Sequence, residues 1–333
     1  RNILLGCHIQ GWRCKRNFGI DQMKKYFFII FFVRFLFAQL NYGFDFSKSG
    51  SAGFQFLKID IGAGPTGMGG AGASLVDDGN AIFWNVAGIT GIDRFHFSVS
   101  DNDWLVNSKI QSAVLAKRFK DNVFAVNLIS FRVESFEETT IQEPYGTGRM
   151  VNAGDDLLGL AYGRNFTDKL SLGIQIKYVN EILDDYTFRN VMVDVGSLYK
   201  TGFRNLALAF VFQHFGPDIS PVNKKFRSPL LFKIGASDYL FKSNTNILTL
   251  GLDLVHPIDG EEFINAGLDG SVLNTLNLRI GNQYNRDLLN FSYGLGLNEI
   301  KMFGGIVFSM DYSFSTLNNI FSDIHRITFG IKF

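Results

Sequence analysis

Two of the 333 residues are cysteine and six are proline. So few cysteines leave no disulfide framework to support a small core. So little proline excludes a proline-rich or collagen-like fibre. Charged residues make up 19%, below the usual share of a soluble domain. Nowhere does an apolar run reach the ~20 residues that a membrane-crossing helix needs, which argues against a helical transporter. Against these absences stand 35 Phe, 35 Gly and a hydrophobic content of 46%. A chain this aromatic does not stay disordered. Its hydrophobicity comes in short pieces separated by turn residues, which points to many β-strands.

The N-terminal region reads as a targeting segment. Met23, Lys24 and Lys25 form a positive start, Tyr26 to Val33 an apolar stretch, and Ala38 a small residue before a cleavage point. The apolar stretch is too short for an anchor and is followed by Arg34. Residues 23–38 are therefore expected to be a signal peptide. Residues 1–22 do not look like a secretory leader and read as an upstream extension, with Met23 as the true start. Cys7 and Cys14 both lie there, at a spacing foreign to common zinc pairs. Seven of the 32 basic and one of the 31 acidic residues fall within 1–38, leaving 25 and 30, a net charge of −5. An acidic exported chain without cysteine is a poor nucleic-acid binder, and none is expected as a partner.

From Arg94 onward, segments of about ten residues alternate in polarity between turn residues, the pattern of a transmembrane barrel. Leu170, Leu172, Ile174, Ile176 and Tyr178 share one face; Ser171, Gly173, Gln175 and Lys177 share the other. Ile327, Phe329, Ile331 and Phe333 alternate likewise with Arg326, Thr328, Gly330 and Lys332. Strands are predicted near 93–101, 109–119, 121–132, 155–166, 169–180, 187–200 and 204–213. Seven more are predicted near 228–240, 245–255, 261–272, 275–284, 288–298, 302–313 and 323–333. About 14 strands is an even number, as a single-chain bacterial barrel requires. Short turns at 120–122, 167–169 and 201–203 alternate with longer links at 133–154, 181–186 and 214–227. With both termini periplasmic, every long link falls outside.

A soluble sandwich would also alternate, but its polar faces meet water and are charge-rich. Here they are mostly Ser, Gly, Asn and Gln. A sheet in hydrocarbon must close on itself, because no water satisfies an open edge. The expected architecture is an all-β, transmembrane antiparallel β-barrel of residues 93–333, in the bacterial outer membrane. Its surroundings would be outer-membrane lipid. Phe333, an aromatic at the end of an alternating strand, resembles the sorting signal read by the barrel assembly machinery.

Residues 39–92 form a Gly-rich segment expected to lie as a plug with a short helix inside the barrel. Gly62, Gly64 and Gly67 match the bare dinucleotide fingerprint. Pro65 and the glycines at 69, 70 and 72 do not suit a helix start, and no βαβ rhythm follows. Glycines also let backbone approach a wall closely, as a plug requires. Gly67, Met68, Gly69, Gly70 and Ala71, then Asp77 and Asp78, then Trp84, Asn85 and Gly88, follow an order and spacing that resembles the N-terminal signature of the PorV/PorQ family. Val86 stands where that family usually has Pro. The resemblance covers about residues 60–90. It implies a 14-stranded barrel similar to long-chain fatty-acid transporters, with the N-terminal segment in the lumen. It also implies a role in type IX secretion: docking secreted proteins through their C-terminal signal domains.

Other residues invite chemistry less strongly. His96, His214, His256 and His325 are scattered over four strands or loop edges, with Asp218 and Asp259 near two of them. Loop polarity accounts for them better than catalysis. Asp77 and Asp78 lack the spacing of a calcium loop; they are expected to start the short helix or to bond lumen arginines. Glu134, Glu137, Glu138 and Glu143 lie in the longest link, as a solvated loop or a docking surface. Trp84, Asn85 and Gly88 are expected to lock the plug or to gate a hydrophobic path. The expected protein is non-enzymatic, without cofactor or metal: a cargo-docking secretion component or, alternatively, a gated channel for hydrophobic small molecules.

Overall fold

The computed structural model describes residues 50–220, 225–286, 289–317 and 322–333. The leader at 23–38, the extension at 1–22 and both cysteines lie outside the described residues, as do residues 39–49 of the expected plug. Period-2 alternation becomes strand after strand: β1 Phe95–Asp103, β2 Lys109–Phe119, β3 Asn122–Arg132, β4 Phe136–Glu137, β5 Met150–Val151, β6 Ala153–Asn165, β7 Leu170–Leu183 and β8 Tyr186–Lys200. There follow β9 Ala207–Phe215, β10 Leu231–Lys242, β11 Ile247–Pro257, β12 Phe263–Val272, β13 Leu276–Tyr284, β14 Leu289–Lys301, β15 Val307–Leu317 and β16 Ile324–Lys332. β4 and β5 pair only with each other; the other 14 form one closed antiparallel barrel. The predicted strand count and order hold.

Closure runs through β1 and β16, in register from His96 opposite Lys332 to Asn102 opposite Arg326. Phe95 and Phe333 exchange both backbone hydrogen bonds, 3.0 and 3.2 Å, and their rings lie 4.7 Å apart. This rim carries the C-terminus and the turns at 120–121, 166–169 and 243–246; the longer link 133–152 and residues 216–220 and 225–230 lie at the other. One expected long link is not long: β7 and β8 meet in a tight turn at Asp184 and Asp185, with Asp184 at φ 57°. Asp accepts that left-handed conformation because its short polar side chain can bond locally. The sheet therefore continues almost to the chain reversal, and the ladder gains the residues assigned to a loop.

Apolar side chains turn outward. Phe97, Leu115, Val126, Leu160 and Ile176 stand side by side across β1, β2, β3, β6 and β7. Each is exposed. A continuous apolar exterior of this kind belongs in lipid, where a closed ladder satisfies every main-chain group. The inward positions carry buried Ser98, Ser112, Asn127, Gln175, Gln213, Asn265 and Ser313. The chain is a bacterial outer-membrane barrel.

Residues 50–94 fill the lumen. Ala52 bridges to Arg227 at the rim opposite Phe333, and the segment then runs the length of the barrel to β1. The chain thus enters its barrel from the opposite rim, not from the side of the C-terminus. Along this path lie a 3-10 turn Gln55–Lys58, a one-turn helix Ala63–Gly67, and 3-10 turns Gly79–Phe83 and Val86–Gly91. The helix stops at Met68 because Gly69 and Gly70 take φ values of 65° and 82°, which glycine adopts without steric cost.

Candidate functional site: a plugged lumen

The plug rests on two rows of glycine in the barrel wall. Gly163, Gly173 and Gly196 are cross-strand neighbours on β6, β7 and β8. Gly251, Gly267 and Gly281 are neighbours on β11, β12 and β13. The first row supports Asn85–Ile89: a Cβ on Gly173 would stand 2.6 Å from the Val86 carbonyl, and one on Gly196 2.1 Å from Asn85 Oδ1. The second supports Met68: a Cβ on Gly281 would stand 2.0 Å from its carbonyl carbon, and one on Gly267 2.3 Å from its oxygen. Gly67 adds a third approach, its Cβ position 2.8 Å from Gly294 Cα. At Gly173, Gly267, Gly281 and Gly294 backbone lies against backbone.

Hydrogen bonds tie the seated segment. Asn85 Nδ2 donates to the carbonyls of Ala73, 2.8 Å, and Ser197 on β8, 3.1 Å, while its Oδ1 accepts from the Ala87 amide, 3.1 Å. One side chain thus caps the turn that begins at Val86 and fastens it to the wall. Gly88 sits where a Cβ would be 2.2 Å from the Val76 carbonyl. Asn265 and Gln283 donate to the carbonyls of Gly70, 2.9 Å, and Gly69, 3.1 Å. The Ala73 amide donates to Asp253 Oδ2, 2.9 Å, close to the buried Ala71. Arg118 holds the end of the plug at the carbonyls of Thr90 and Ile92.

Asp77 and Asp78 divide in role. Asp78 accepts from the Asn80 amide, 2.8 Å, and caps the turn leading to Trp84. Neither aspartate bonds the lumen arginine: Arg279 pairs with Asp311 and, at 3.4 Å, with Asp269. Asp269 lies directly opposite Arg279 on β12 and Asp311 reaches it from β15 across the glycines of β14, so the guanidinium is taken by the wall. Asp77 faces a lower chamber; enclosure within the barrel, then the neighbouring Asp78, raises its carboxyl above the ordinary value.

Trp84 is 1% exposed, and its Nε1 donates to the Ile61 carbonyl, 3.0 Å. Its ring packs where a Cβ on Gly72 would stand 2.9 Å from it and 3.0 Å from Pro65. This stack separates two chambers. The upper one, about 410 Å³, has Trp84, Ile61 and Phe83 on its plug side and Pro257, Gly260 and Asn285 near the rim opposite Phe333. The lower one, about 360 Å³, is lined by Pro65, Gly72, Asp77, His96, Arg279 and Lys332.

Charges that sequence reading had not brought together meet at the upper chamber. On β7, β8 and β9, Lys177 Nζ lies 2.7 Å from Asp194 and 2.6 Å from His214 Nδ1, and the His214 amide donates to Asp194, 2.8 Å. His214 has φ 64° and sits where the β8–β9 register slips between Val193 and Val195. The bulge leaves its amide without a ladder partner, and Asp194 supplies one. The legible signal was Lys177 itself, a charge on a face otherwise of Ser, Gly and Gln. The other histidines stay apart: His256 pairs with Glu262, 2.8 Å, His325 with Tyr312, 2.7 Å, and His96 packs under Gly79. Asp259 binds Lys58 of the plug, 2.8 Å, not a histidine. Among the described residues no group of His, Cys, Asp and Glu is arranged to hold a metal ion.

No protein-family model matches the chain, and no curated protein matches it in sequence. Its fold does have solved counterparts. The toluene transporter TodX of Pseudomonas putida is similar with a TM-score of 0.58 and 12% identity, over 81% of this chain and 96% of that one. The toluene transporter TbuX of Ralstonia pickettii gives 0.55 and 11%, over 82% and 97%. The monoaromatic hydrocarbon channel CymD gives 0.53 and 12%, over 82% and 96%.

Proposed function

We propose that this barrel is a plugged, non-enzymatic channel that admits hydrophobic small molecules across the outer membrane. The observation that carries the reading is the upper chamber, about 410 Å³, bounded by Leu57, Ile59, Phe83, Leu231 and Val255 and floored by Trp84. It is large enough for a compact apolar solute and sits on the route through the lumen. Its fold counterparts are transporters and channels for toluene and other monoaromatic hydrocarbons. Ile129 and Leu157 line both this chamber and an outer groove of about 660 Å³ on the lipid side. The ladder between β3 and β6 is unbroken there, so solute leaves this state only after the plug or the wall moves. Uptake of radiolabelled toluene into liposomes carrying the folded barrel tests the reading. Entry faster than in protein-free liposomes, saturating with toluene, is expected; equal rates refute it.

The residue 60–90 motif supports a second reading, docking of secreted proteins as in the PorV/PorQ family. The feature that favours it is the β4–β5 hairpin, whose Ile141 and Tyr145 are 97% and 99% exposed beside the acidic run. Co-purification with exported proteins bearing C-terminal signal domains, lost on Tyr145→Ser, is the expected result for docking.

A further inference from the structure

Four cations line the upper chamber: Lys58, Lys177, Lys233 and Arg286. Three have a carboxylate at hand. Lys58 lies 2.8 Å from Asp259, Lys177 2.7 Å from Asp194 and Arg286 3.7 Å from Asp60. Lys233, on β10, is 6% exposed and has no hydrogen bond or ion pair among the described residues. Its Nζ stands over the Trp84 ring, 5.1 Å from the centroid. Asp60 and Asp253 act on it only through space, and Asp253 is turned to the Ala73 amide. A cation–π contact satisfies an ammonium only in part, leaving its donors open.

A second donor faces the same space. Lys177 bonds His214 through Nδ1. An ammonium only donates, so Nδ1 accepts and the ring proton sits on Nε2. Nε2 has no bond among the described residues, and His214 lines the chamber. Beside the chamber's apolar side chains and its acceptors at Asn265 Oδ1 and Glu261, Lys233 and His214 thus present open donors, one of them charged. A neutral hydrocarbon would leave both unsatisfied, which is costly in an enclosed site.

We propose that the upper chamber binds a compact, ring-sized organic anion, with its carboxylate on Lys233 and His214 and its apolar body against Phe83, Leu231 and Val255. This rests on the channel reading and names the solute class: acidic rather than neutral. Two probes of nearly one shape separate the two ideas, benzoate and toluene. Calorimetric titration of the detergent-solubilised, full-length barrel is expected to show benzoate bound at least tenfold more tightly than toluene. Lys233→Met should weaken benzoate at least tenfold and leave toluene within threefold, while Lys233→Arg should keep benzoate within threefold. Heat-modifiable gel migration confirms that each variant is folded. Equal affinity for the two probes, or benzoate binding indifferent to Lys233→Met, overturns the proposal while toluene binding leaves the channel standing. Absence of both probes from the wild-type chamber refutes both. Loss of benzoate on Asp253→Asn but not on Lys233→Met would also overturn it.

Discussion

Alanine at Gly267 or Gly281 puts the seating of the plug to a test of sign. Both glycines lie in regular strand with ordinary backbone angles, so alanine meets no conformational penalty there. By itself the change removes unfolded-chain freedom and stabilises by about 0.4–1 kcal/mol. The plug reverses this. The new Cβ would stand 2.3 Å from the Met68 oxygen at position 267 and 2.0 Å from its carbonyl carbon at 281, where carbon contacts are favourable only near 3.5–4 Å. The obstructing atoms are backbone and cannot rotate away. Overpacking of this kind costs roughly 1–3 kcal/mol per site, so the double variant outweighs any entropic gain. At about 1.4 kcal/mol per factor of ten, a loss of ~3 kcal/mol unseats the plug roughly a hundredfold more often. Gly270 on the same strand is the control: its Cβ would find nothing nearer than 3.7 Å. Folded barrels in liposomes are treated with chymotrypsin, and cleavage near Leu75 and Trp84 is followed alongside single-barrel conductance. Gly267→Ala with Gly281→Ala should be cut faster and conduct more than wild type, and Gly270→Ala should do neither. Equal protection in all three would refute the claim that the plug rests on a glycine wall.

Trp84→Ala removes the partition between the chambers. Loss of so large a buried ring costs about 3–5 kcal/mol, and a rise in conductance with a lower thermal midpoint is expected; unchanged conductance would place the barrier elsewhere. For Asp77 the folded carboxyl binds its proton more readily than the unfolded one, so stability falls as pH rises from the ordinary value of 3.8 through the raised range. Asp77→Asn should therefore raise the thermal midpoint at pH 8, and the advantage should vanish near pH 3.8.

Residues 93–333 were legible because membrane strands must alternate and must close. Each strand announces itself locally: Ile174, Ile176 and Tyr178 meet lipid whatever the remote chain does, and Gly173, Gln175 and Lys177 then have only the lumen. The turn at Asp184 escaped this logic, since a two-residue reversal that Asp tolerates looks like a polar loop. The roles of Asp77 and Asp78 escaped it too. Whether a plug carboxylate meets Arg279 depends on what Asp269 on β12 and Asp311 on β15 have already done.

The order of residues, read alone, determined a closed 14-stranded barrel, its lipid and lumen faces and a glycine-rich segment small enough to fit inside. Those follow from a period of two and from the need of every backbone amide for a partner. Only the tertiary structure decided that the wall under the plug is glycine as well, that Trp84 divides the lumen, and that Lys233 is left with open donors. These depend on register between strands, which brings Gly281 of β13 to Met68 of the plug and His214 to Lys177. No local pattern encodes that juxtaposition, because the pairing of all the strands sets it together.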